Sequence, residues 1–537
     1  MSELQRGGRG SRKSSTEHWF DLFGRRLTRR DFVRVGASAA ALVGLGSLPG
    51  CSGRRAAFGL DPFAFGVASG DPTPDGVVLW ARLGRAAVLD AGVPGVATPV
   101  GWEIAEDEAF ASIVQQGRSD AMPELGHSVH VEVAGLRPGR EYFYRFHAGD
   151  AVSPVGRTKT APPLDSMPER VNFAFASCQH YEQGYYTALR HLSREPIDAV
   201  VHLGDYIYEN GAVDGRPRHH GSGEAYTLDD YRQRYALYRS DPDLQAAHHA
   251  APWIVTTDDH EVDNDYANTH ADDDQSPEAL LLRRAAAYQA FYEFLPLRRS
   301  SMPAGPNMRI YRRIDFGQLI GMHVLDTRQY RDNQPCGADF SPTCAEHVDS
   351  SRGLLGSDQR AWLFDNLASS TSTWNVLAQQ VLMARFRNYD DGGREVFSMD
   401  KWDGYPAERA RVLEAMGRPG VRNPIVLTGD LHSNWVSRLH EDFADERSRV
   451  IATEFAGTSI TSGGDGVEQH PIGARALPHN FHFDFYNSQR GYVTMAVEPD
   501  RWTSTYRRVA SVQEPGGDVD TLATFVVEDG RPGVVSG

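Results

Sequence analysis

Five short apolar segments of the chain end in side chains that can bind a metal ion, and this pattern constrains the fold more than any other feature. The clearest is segment 201–208, where an apolar run ends in Asp205 and Tyr208 follows three residues later. The other four lead to Cys178, to 258–261, to 326–328 and to 430–432. Open α/β sheets place their ligand sites at the carboxyl ends of their strands. The pattern therefore predicts an α/β fold with a metal site at one sheet edge.

The first of these segments also indicates which metal chemistry to expect. Asp binds many cations, but the phenol of Tyr208 becomes a good ligand only when a strongly Lewis-acidic ion such as Fe³⁺ removes its proton. A strand that ends in a turn, with Asp205 as a helix cap and Tyr208 in the core, would look the same in isolation. Because four further segments repeat the design, we favour the metal interpretation.

The composition is that of a globular protein and argues against one class of function. The chain has 537 residues, ample for two domains, and 40% of them are apolar. Its formal net charge is -16, although residues 1–51 are net positive. An acidic surface repels polyanions, so we expect no nucleic-acid-binding surface. A phosphate-handling protein of this charge would need a local positive centre, which metal ions would supply.

Residues 1–51 resemble a twin-arginine signal peptide. The pair Arg29 and Arg30 precedes the apolar run 35–48, which is too short to act as a membrane anchor. The expected partner is the twin-arginine export machinery, which carries folded proteins, and the expected location is the periplasm, the cell envelope or the medium. Cys51 stands where a lipoprotein is cleaved and lipidated, so a lipid anchor at Cys51 and ordinary cleavage both stay open.

The rest of the chain divides into two regions. Residues 62–160 contain short alternating strands separated by Gly, Pro and Asp turns, which is typical of a β-sandwich of the immunoglobulin or fibronectin type. Residues 161–170 form a proline-rich linker. Strands alternate with helical patterns in residues 171–537, which predicts an α/β domain after the sandwich.

The remaining cysteines have different expected roles. The spacing of Cys336 and Cys344 permits a disulfide in an oxidising compartment. Cys178 is then unpaired, and a lone Cys after a strand is commonly a small buried apolar residue. Its place at the end of the strand before Asp205 favours a thiolate ligand instead.

Six ordered blocks of the sequence resemble the signature of the PhoD-like alkaline phosphatases, a branch of the calcineurin-like metallophosphoesterase superfamily. The blocks are Ala-Ser-Cys-Gln at 176–179, Gly-Asp-Tyr-Ile-Tyr at 204–208, Asp-Asp-His-Glu at 258–261, Leu-Asp-Thr-Arg at 325–328, Asp-Lys-Trp-Asp-Gly-Tyr at 400–405 and Gly-Asp-Leu-His at 429–432. A single block would be a weak signal, whereas the ordered set is specific. The resemblance covers nearly the whole chain.

This resemblance implies a fold and a pair of metals. The fold would be a four-layer αββα metallophosphoesterase core, preceded by the N-terminal β-sandwich. The metals would be Fe³⁺ and Ca²⁺. By resemblance Cys178, Asp205 and Tyr208 hold the iron, and Asp205 bridges to the calcium.

Three further metal positions are also carried over from the family blocks. Asp259 stands where the wider superfamily has an Asn. Asp430 stands where the superfamily has the first of two His residues, and His432 matches the second. Both replacements exchange nitrogen ligands for oxygen ligands. Hard oxygen ligands suit Ca²⁺ better than Zn²⁺, so the departures favour calcium.

The implied activity is hydrolysis of phosphate monoesters, diesters or both by a metal-activated hydroxide, in the service of phosphate acquisition. Arg328 is predicted to clamp the phosphate through paired donors, with a structural ion pair to Asp326 or another carboxylate as the alternative. His260 is predicted to orient the phosphate or protonate the leaving oxygen, with a supporting hydrogen bond as the alternative.

Two other functions stay open at this point. One is a phospholipase-D-like phosphodiesterase, an activity that occurs in the same family. The other is a non-catalytic envelope protein that binds a partner and keeps a structural metal site.

Overall fold

A computed structural model of the protein describes residues 57–273, 275–337 and 340–536, together with the paired strands Trp19–Phe20 and Arg26–Leu27. The predicted arginine pair of the export signal and the predicted lipidation site at Cys51 lie outside the described residues. In the described part, no helix combines the length and the apolar character that a membrane span requires.

The first large sheet has ten strands and mixes parallel and antiparallel pairs. Its strands run in the order Arg531–Ser536, Val519–Glu528, Arg501–Val509, Gly491–Val497, Val171–Ala176, Ala199–His202, Trp253–Val255, Val67–Thr73, Gly76–Arg82 and Ser128–Ala134. The three central strands from Val171 to Val255 are parallel, so their carboxyl ends meet at one edge of the sheet. They lead to Cys178, Asp205 and Asp258.

The second large sheet has eight strands. They run in the order Arg312–Phe316, Ile320–Val324, Trp374–Ala378, Pro424–Thr428, Val450–Ala456, Asn434–His440, Phe483–Gln489 and Gly466–Val467. Four neighbouring strands of this sheet, from Ile320–Val324 to Val450–Ala456, are parallel. They carry Arg328 and Asp430 just beyond their carboxyl ends.

Apolar side chains join the two sheets and cover their outer faces. Phe173 and Phe175 of the first sheet lie with Val376 and Ile425 of the second sheet in one buried cluster. The alternate residue Ala174 points the other way and packs in a second cluster with helical side chains, as the period of a strand requires. A third cluster covers the outer face of the second sheet with further helices. The predicted α/β fold is confirmed.

The helices that cover the sheets occupy the segments between strands. The α-helices are Arg85–Asp90, Thr187–Leu192, Leu228–Arg239, Pro242–Ala250, Pro277–Phe294, Gly356–Ala368, Pro406–Met416 and Pro471–Ala476. Short 3₁₀ turns lie at Pro123–Leu125, Tyr181–Gln183, Arg299–Ser301, Pro335–Gly337, Trp402–Gly404 and Leu477–His479. Thr227 caps the helix Leu228–Arg239 through a reciprocal capping box with Asp230, which fixes its first turn.

The N-terminal region has the two facing sheets expected of a sandwich, but one of them belongs to the large sheet. A five-stranded sheet contains Gly156–Lys159, Glu141–Ala148, Thr98–Ala105, Ile113–Ala121 and Ala151–Val152. It faces the strands Val67–Thr73, Gly76–Arg82 and Ser128–Ala134 across a buried apolar cluster. Since these three strands continue the ten-stranded sheet, the linker 161–170 separates two regions of sequence but not two separate sheets. One compact unit spans Ala56–Gly537.

A short three-stranded sheet and a disulfide complete the fold. The small sheet contains Phe340–Ser341, Glu395–Ser398 and Asn388–Tyr389. Cys336 and Cys344 are joined by a disulfide across the adjoining loop, as their spacing permits.

Candidate metal centre

The loops that follow the parallel strands bring the predicted ligands together. One ligand atom each from Cys178, Asp205 and His432 lies within 4.8 Å of the others. A second group, made of Asp205, Asp259 and His260, meets the same distance limit. Asp205 is thus common to both groups, which is the arrangement expected of a carboxylate between two metal ions.

Several of these residues have an unusual backbone conformation. Cys178, Asp205, Asp430 and His432 have φ angles of 59°, 54°, 61° and 50°. Residues other than Gly rarely adopt this left-handed region, and such strain concentrates at functional sites. Here the left-handed conformation makes the backbone turn sharply just after a strand, so that the side chains meet at the metal centre.

Tyr208 lies beside the first ligand group. Its hydroxyl is 3.0 Å from Asp205 Oδ2 and 3.1 Å from His432 Nε2, and its ring is buried. The Ser462 hydroxyl lies 2.6 Å from the same phenol oxygen and 2.8 Å from the carbonyl oxygen of Cys178. The predicted ligands Cys178, Asp205 and Tyr208 therefore form one buried cluster with the half-buried His432.

Burial makes this cluster unfavourable without a cation. Burial raises the pKa of the Cys178 thiol and of the Tyr208 phenol well above their ordinary values, and the neighbouring Asp205 adds to both shifts. Asp205 Oδ1 is buried and has no hydrogen-bond partner among the described residues. A metal ion would stabilise the ionised forms of all three groups and occupy this unsatisfied oxygen. The donor set therefore fits a metal.

The second group joins Asp259 and His260 to the centre. Asp259 Oδ2 accepts a hydrogen bond of 2.8 Å from the backbone of Asp265. Burial alone would raise the pKa of Asp259, but Arg328 and His260 outweigh it and hold that pKa well below its ordinary value. An ionised carboxylate in this position suits a hard cation such as Ca²⁺.

His260 is held between Glu209 and Tyr208. Its Nδ1 lies 2.8 Å from Glu209 Oε2, and its ring lies 4.1 Å from the Tyr208 ring between centroids. Burial would lower the pKa of His260, but Glu209, Asp259 and Asp205 raise it well above its ordinary value. Glu209 therefore fixes the imidazole of His260 through Nδ1.

Arg328 lies under the centre, in a wholly buried position. Its Nε donates to Asp258 over 2.6 Å and its Nη1 donates to Asp400 over 2.7 Å. Its Nη2 lies 3.4 Å from Asp259 Oδ2. Asp326, the partner considered from sequence, accepts a hydrogen bond from the backbone nitrogen of Arg328 and two from Gln329. The side chain therefore pairs with Asp258 and Asp400, and the predicted contact with phosphate remains a prediction.

Asp430, which follows a strand of the second sheet, belongs to neither ligand group; its Oδ1 lies 3.9 Å from Arg328 Nη2, and it forms an ion pair with Lys401. Burial would lower the pKa of Lys401, but Asp430 and Asp400 raise it above its ordinary value. Lys401 keeps 20% of its side chain exposed. It supplies positive charge beside an acidic centre.

Sequence reasoning missed several residues that hold these groups in place. Glu261 accepts backbone hydrogen bonds from Asp205, Tyr206 and Asp258, and so ties two strand ends together. Burial raises the pKa of Glu261 to about 8. Both Glu261 and Lys401 lie within sequence blocks that carry the family resemblance, so the sequence did offer a reason to place them near the metal centre. Ser462 has no such signal, because it lies in a loop with no recognisable motif.

Comparisons with known proteins all match this chain to PhoD-like phosphatases. A family model described as PhoD-like phosphatase matches residues 173–506, and one described as PhoD-like phosphatase, N-terminal domain, matches residues 50–162. Alkaline phosphatase D of Bacillus subtilis (strain 168) is 50% identical over 478 residues, which cover 88% of this chain and 82% of the relative. A solved structure described as "Structure of PhoD" superposes with a TM-score of 0.86 at 49% identity, covering 90% of this chain and 94% of that chain.

Proposed function

The chain belongs to the PhoD-like phosphatase family, and from this premise we propose that it is an exported, metal-dependent phosphohydrolase that releases phosphate from esters for uptake. The family resemblance drawn from the six sequence blocks is confirmed, and so is the prediction of a phosphatase enzyme. The non-catalytic alternative loses its support. Metal identity, export and physiological role are the parts that we propose.

One observation carries the proposal of a two-metal site. Asp205 belongs to both candidate ligand groups, with Cys178 and His432 on one side and with Asp259 and His260 on the other. Its Oδ2 faces Tyr208, and its Oδ1 has no hydrogen-bond partner among the residues that the structure describes. A carboxylate with one oxygen available on each side fits a bridging ligand.

We assign the ligands by their chemistry. Cys178, Tyr208 and His432 would hold Fe³⁺ together with Asp205, since thiolate and phenolate favour a strongly Lewis-acidic ion. Asp259 and Asp430 would hold Ca²⁺ through oxygen. When bound, such ions lower the pKa of a water molecule and neutralise charge on the phosphoryl oxygens.

Among the residues of the chain, His260 is placed to handle a proton. Because Glu209 holds its Nδ1, the imidazole keeps Nε2 as its second nitrogen, and 14% of the His260 side chain is exposed. We propose that Nε2 donates a proton to the leaving oxygen or a hydrogen bond to the phosphate. Glu209 then serves to orient the ring.

Arg328 and Lys401 are the two cationic side chains that we assign to the site, and their proposed roles differ. Two of the Arg328 donors are occupied by Asp258 and Asp400, so we assign it the ion-pair role that the sequence left open. It would keep the carboxylates of the centre ionised and in position. Lys401, which is partly exposed, is the better placed cation to meet a phosphoryl oxygen.

Replacement of the shared carboxylate tests the two-metal proposal. In Asp205→Asn we expect kcat for p-nitrophenyl phosphate to fall by at least about 100-fold and both metals to be lost, since removal of a metal site removes its contribution to charge stabilisation. Metal content by elemental analysis and steady-state kinetics are the measurements. Asp243→Asn, which affects a partly exposed ion pair with Arg190, is the matched control. Retention of iron and full activity in Asp205→Asn would exclude the proposed bridge.

The same assay separates a phosphomonoesterase from a phosphodiesterase. Turnover of bis-p-nitrophenyl phosphate is compared with that of p-nitrophenyl phosphate at matched metal loading. A strong preference for the bis-ester would favour the phospholipase-D-like alternative. Absence of turnover of either ester by iron- and calcium-loaded protein would exclude a catalytic role for the site.

Export is tested separately, at the N-terminus. Replacing Arg29 and Arg30 together by Lys should abolish appearance of the protein outside the cytoplasm, since the arginine pair is the feature that the route reads. In a parallel variant, Cys51→Ala should release the protein from the membrane fraction if Cys51 is lipidated. An unchanged distribution of Cys51→Ala would favour ordinary cleavage.

A further inference from the structure

A cavity of about 730 Å³ opens directly from the candidate metal centre. Asp430, His432 and Lys401 form the wall on the side of the centre. Arg490 lies on the same side, where it donates hydrogen bonds to the carbonyl oxygen of His432 and to Ser459. The cavity is therefore the space next to the centre that could receive the organic substituent of a bound phosphate ester.

Part of the cavity wall is apolar. Leu382, Phe386 and Trp435 line it and are almost wholly buried within the protein. Trp435 packs against Phe386 and Tyr486, with ring centroids 5.4 Å and 4.2 Å apart. These aromatic contacts make a rigid wall that offers few hydrogen bonds to a ligand.

More exposed apolar side chains also line the cavity. Phe340, Val467 and Ile472 are 44%, 48% and 37% exposed. Scattered exposed apolar residues need no explanation, but three that line one cavity add to its apolar surface. Polar residues line it as well, among them Asp465 and His470.

We propose that this cavity binds the alcohol part of the phosphate ester and that it selects apolar aryl or alkyl groups over polyols. The inference rests on the proposed phosphohydrolase function and names the substrate class of that site. Transfer of an apolar group from water to these walls is favourable in proportion to the area buried. A glycerol or sugar group would lose hydrogen bonds to water without finding partners on Leu382, Phe386 and Trp435.

Kinetics with two esters test the selectivity. We expect kcat/KM for 1-naphthyl phosphate to exceed that for glycerol 2-phosphate, and Ile472→Asp to lower the first by about tenfold more than it lowers the second. Leu282→Asp is the control, because Leu282 is 75% exposed on the helix Pro277–Phe294, away from the cavity. An equal effect of Ile472→Asp on both esters would overturn the proposal.

A binding measurement keeps this test independent of turnover. 1-Naphthylmethylphosphonic acid has a carbon–phosphorus bond in place of the ester oxygen and is not hydrolysed. By titration calorimetry on the metal-loaded protein, it should bind about tenfold or more tightly than methylphosphonic acid, and Ile472→Asp should remove the difference. Equal affinities in the wild-type protein would exclude an apolar subsite even if both esters are hydrolysed. Preferential binding of the naphthyl compound without hydrolysis of any ester would instead contradict the proposed function alone.

Discussion

At the scale of single residues, the centre combines strained ligands with unstrained supports. Cys178 and Asp205 adopt left-handed backbone conformations, whereas Tyr208 and Ser462 do not. Tyr208 reaches the cluster through its side chain alone, and its oxygen meets Asp205, His432 and Ser462. This makes the phenol the most informative single probe of which metal is bound.

Tyr208→Phe should remove the phenolate component of the visible charge-transfer absorption in the purified protein and leave the component due to the Cys178 thiolate. A ferric phenolate absorbs visible light, and phenylalanine has no oxygen to bind iron. The absorption spectrum and the iron content are the measurements. Tyr206→Phe is the control, since the Tyr206 hydroxyl faces His248 at 2.7 Å on the other side of the chain. Zinc in place of iron, or an absorption spectrum that is unchanged in Tyr208→Phe, would contradict the assignment.

Ser462→Ala offers a graded companion to that experiment. It keeps the Tyr208 ligand but removes the hydroxyl 2.6 Å from the phenol oxygen. A hydrogen bond to a ligand atom changes the electron density that reaches the metal. We therefore expect the band to shift in wavelength without loss of iron, and an identical spectrum would show that Ser462 has no influence on the ligand.

At the scale of elements, the strand ends were predictable and the partners of the loops were not. Apolar runs followed by Cys178, Asp205 and Asp430 indicate where strands stop, and parallel strands bring such ends together. The pairing of Arg328 with Asp258 and Asp400 was not predictable, because sequence spacing does not say which loops touch. Alternating patterns in 62–160 likewise predict strands but not the sheet that they join.

One glycine shows how tightly these strand ends meet. Gly204 has a φ of 106°, and a Cβ at this position would lie 2.5 Å from Asp258 Cβ. Its carbonyl oxygen accepts a hydrogen bond from the backbone nitrogen of Cys178 over 3.1 Å. Three ligand-bearing loops therefore depend on the absence of a side chain at Gly204.

Gly204→Ala should lower the free energy of unfolding by roughly 2 kcal/mol or more and weaken metal retention. The clash with Asp258 would force the loops apart. Gly215→Ala is the control, because Gly215 has a φ of 81° but no atom within 4 Å of the point that a Cβ would occupy, so it reports the cost of the backbone conformation alone. Denaturation midpoints and metal content are compared. Equal losses in both variants would mean that the close approach is not important.

At the scale of the whole molecule, the core between sheet and helices contains titratable groups that limit stability in acid. His202 lies in a central strand of the ten-stranded sheet and stacks on Trp253, with ring centroids 5.8 Å apart. Both ring nitrogens are buried without hydrogen-bond partners in the described part of the chain. Burial lowers the pKa of His202 to about 3.

His202→Leu should make the protein less sensitive to acid. The pKa of His202 is lower in the folded than in the unfolded chain, so its neutral form contributes fully to stability above about pH 6.5 and this contribution is lost as the pH falls toward 3. The loss is roughly 1 kcal/mol per pH unit. Urea denaturation at pH 7 and pH 5 measures the difference. His270→Leu, at an exposed position, should leave the pH dependence unchanged; a similar change in both variants would refute the argument.

The order of strands in the large sheet also governs when the molecule can be completed. Val67–Thr73 is synthesised early, but its sheet neighbour Trp253–Val255 comes much later, and the opposite edge is Arg531–Ser536. Neither the first strands nor the metal ligands beside them have their full set of neighbours until translation is almost finished. The proposed export of this protein in its folded form would therefore have to follow the end of synthesis, because the large sheet is incomplete before then.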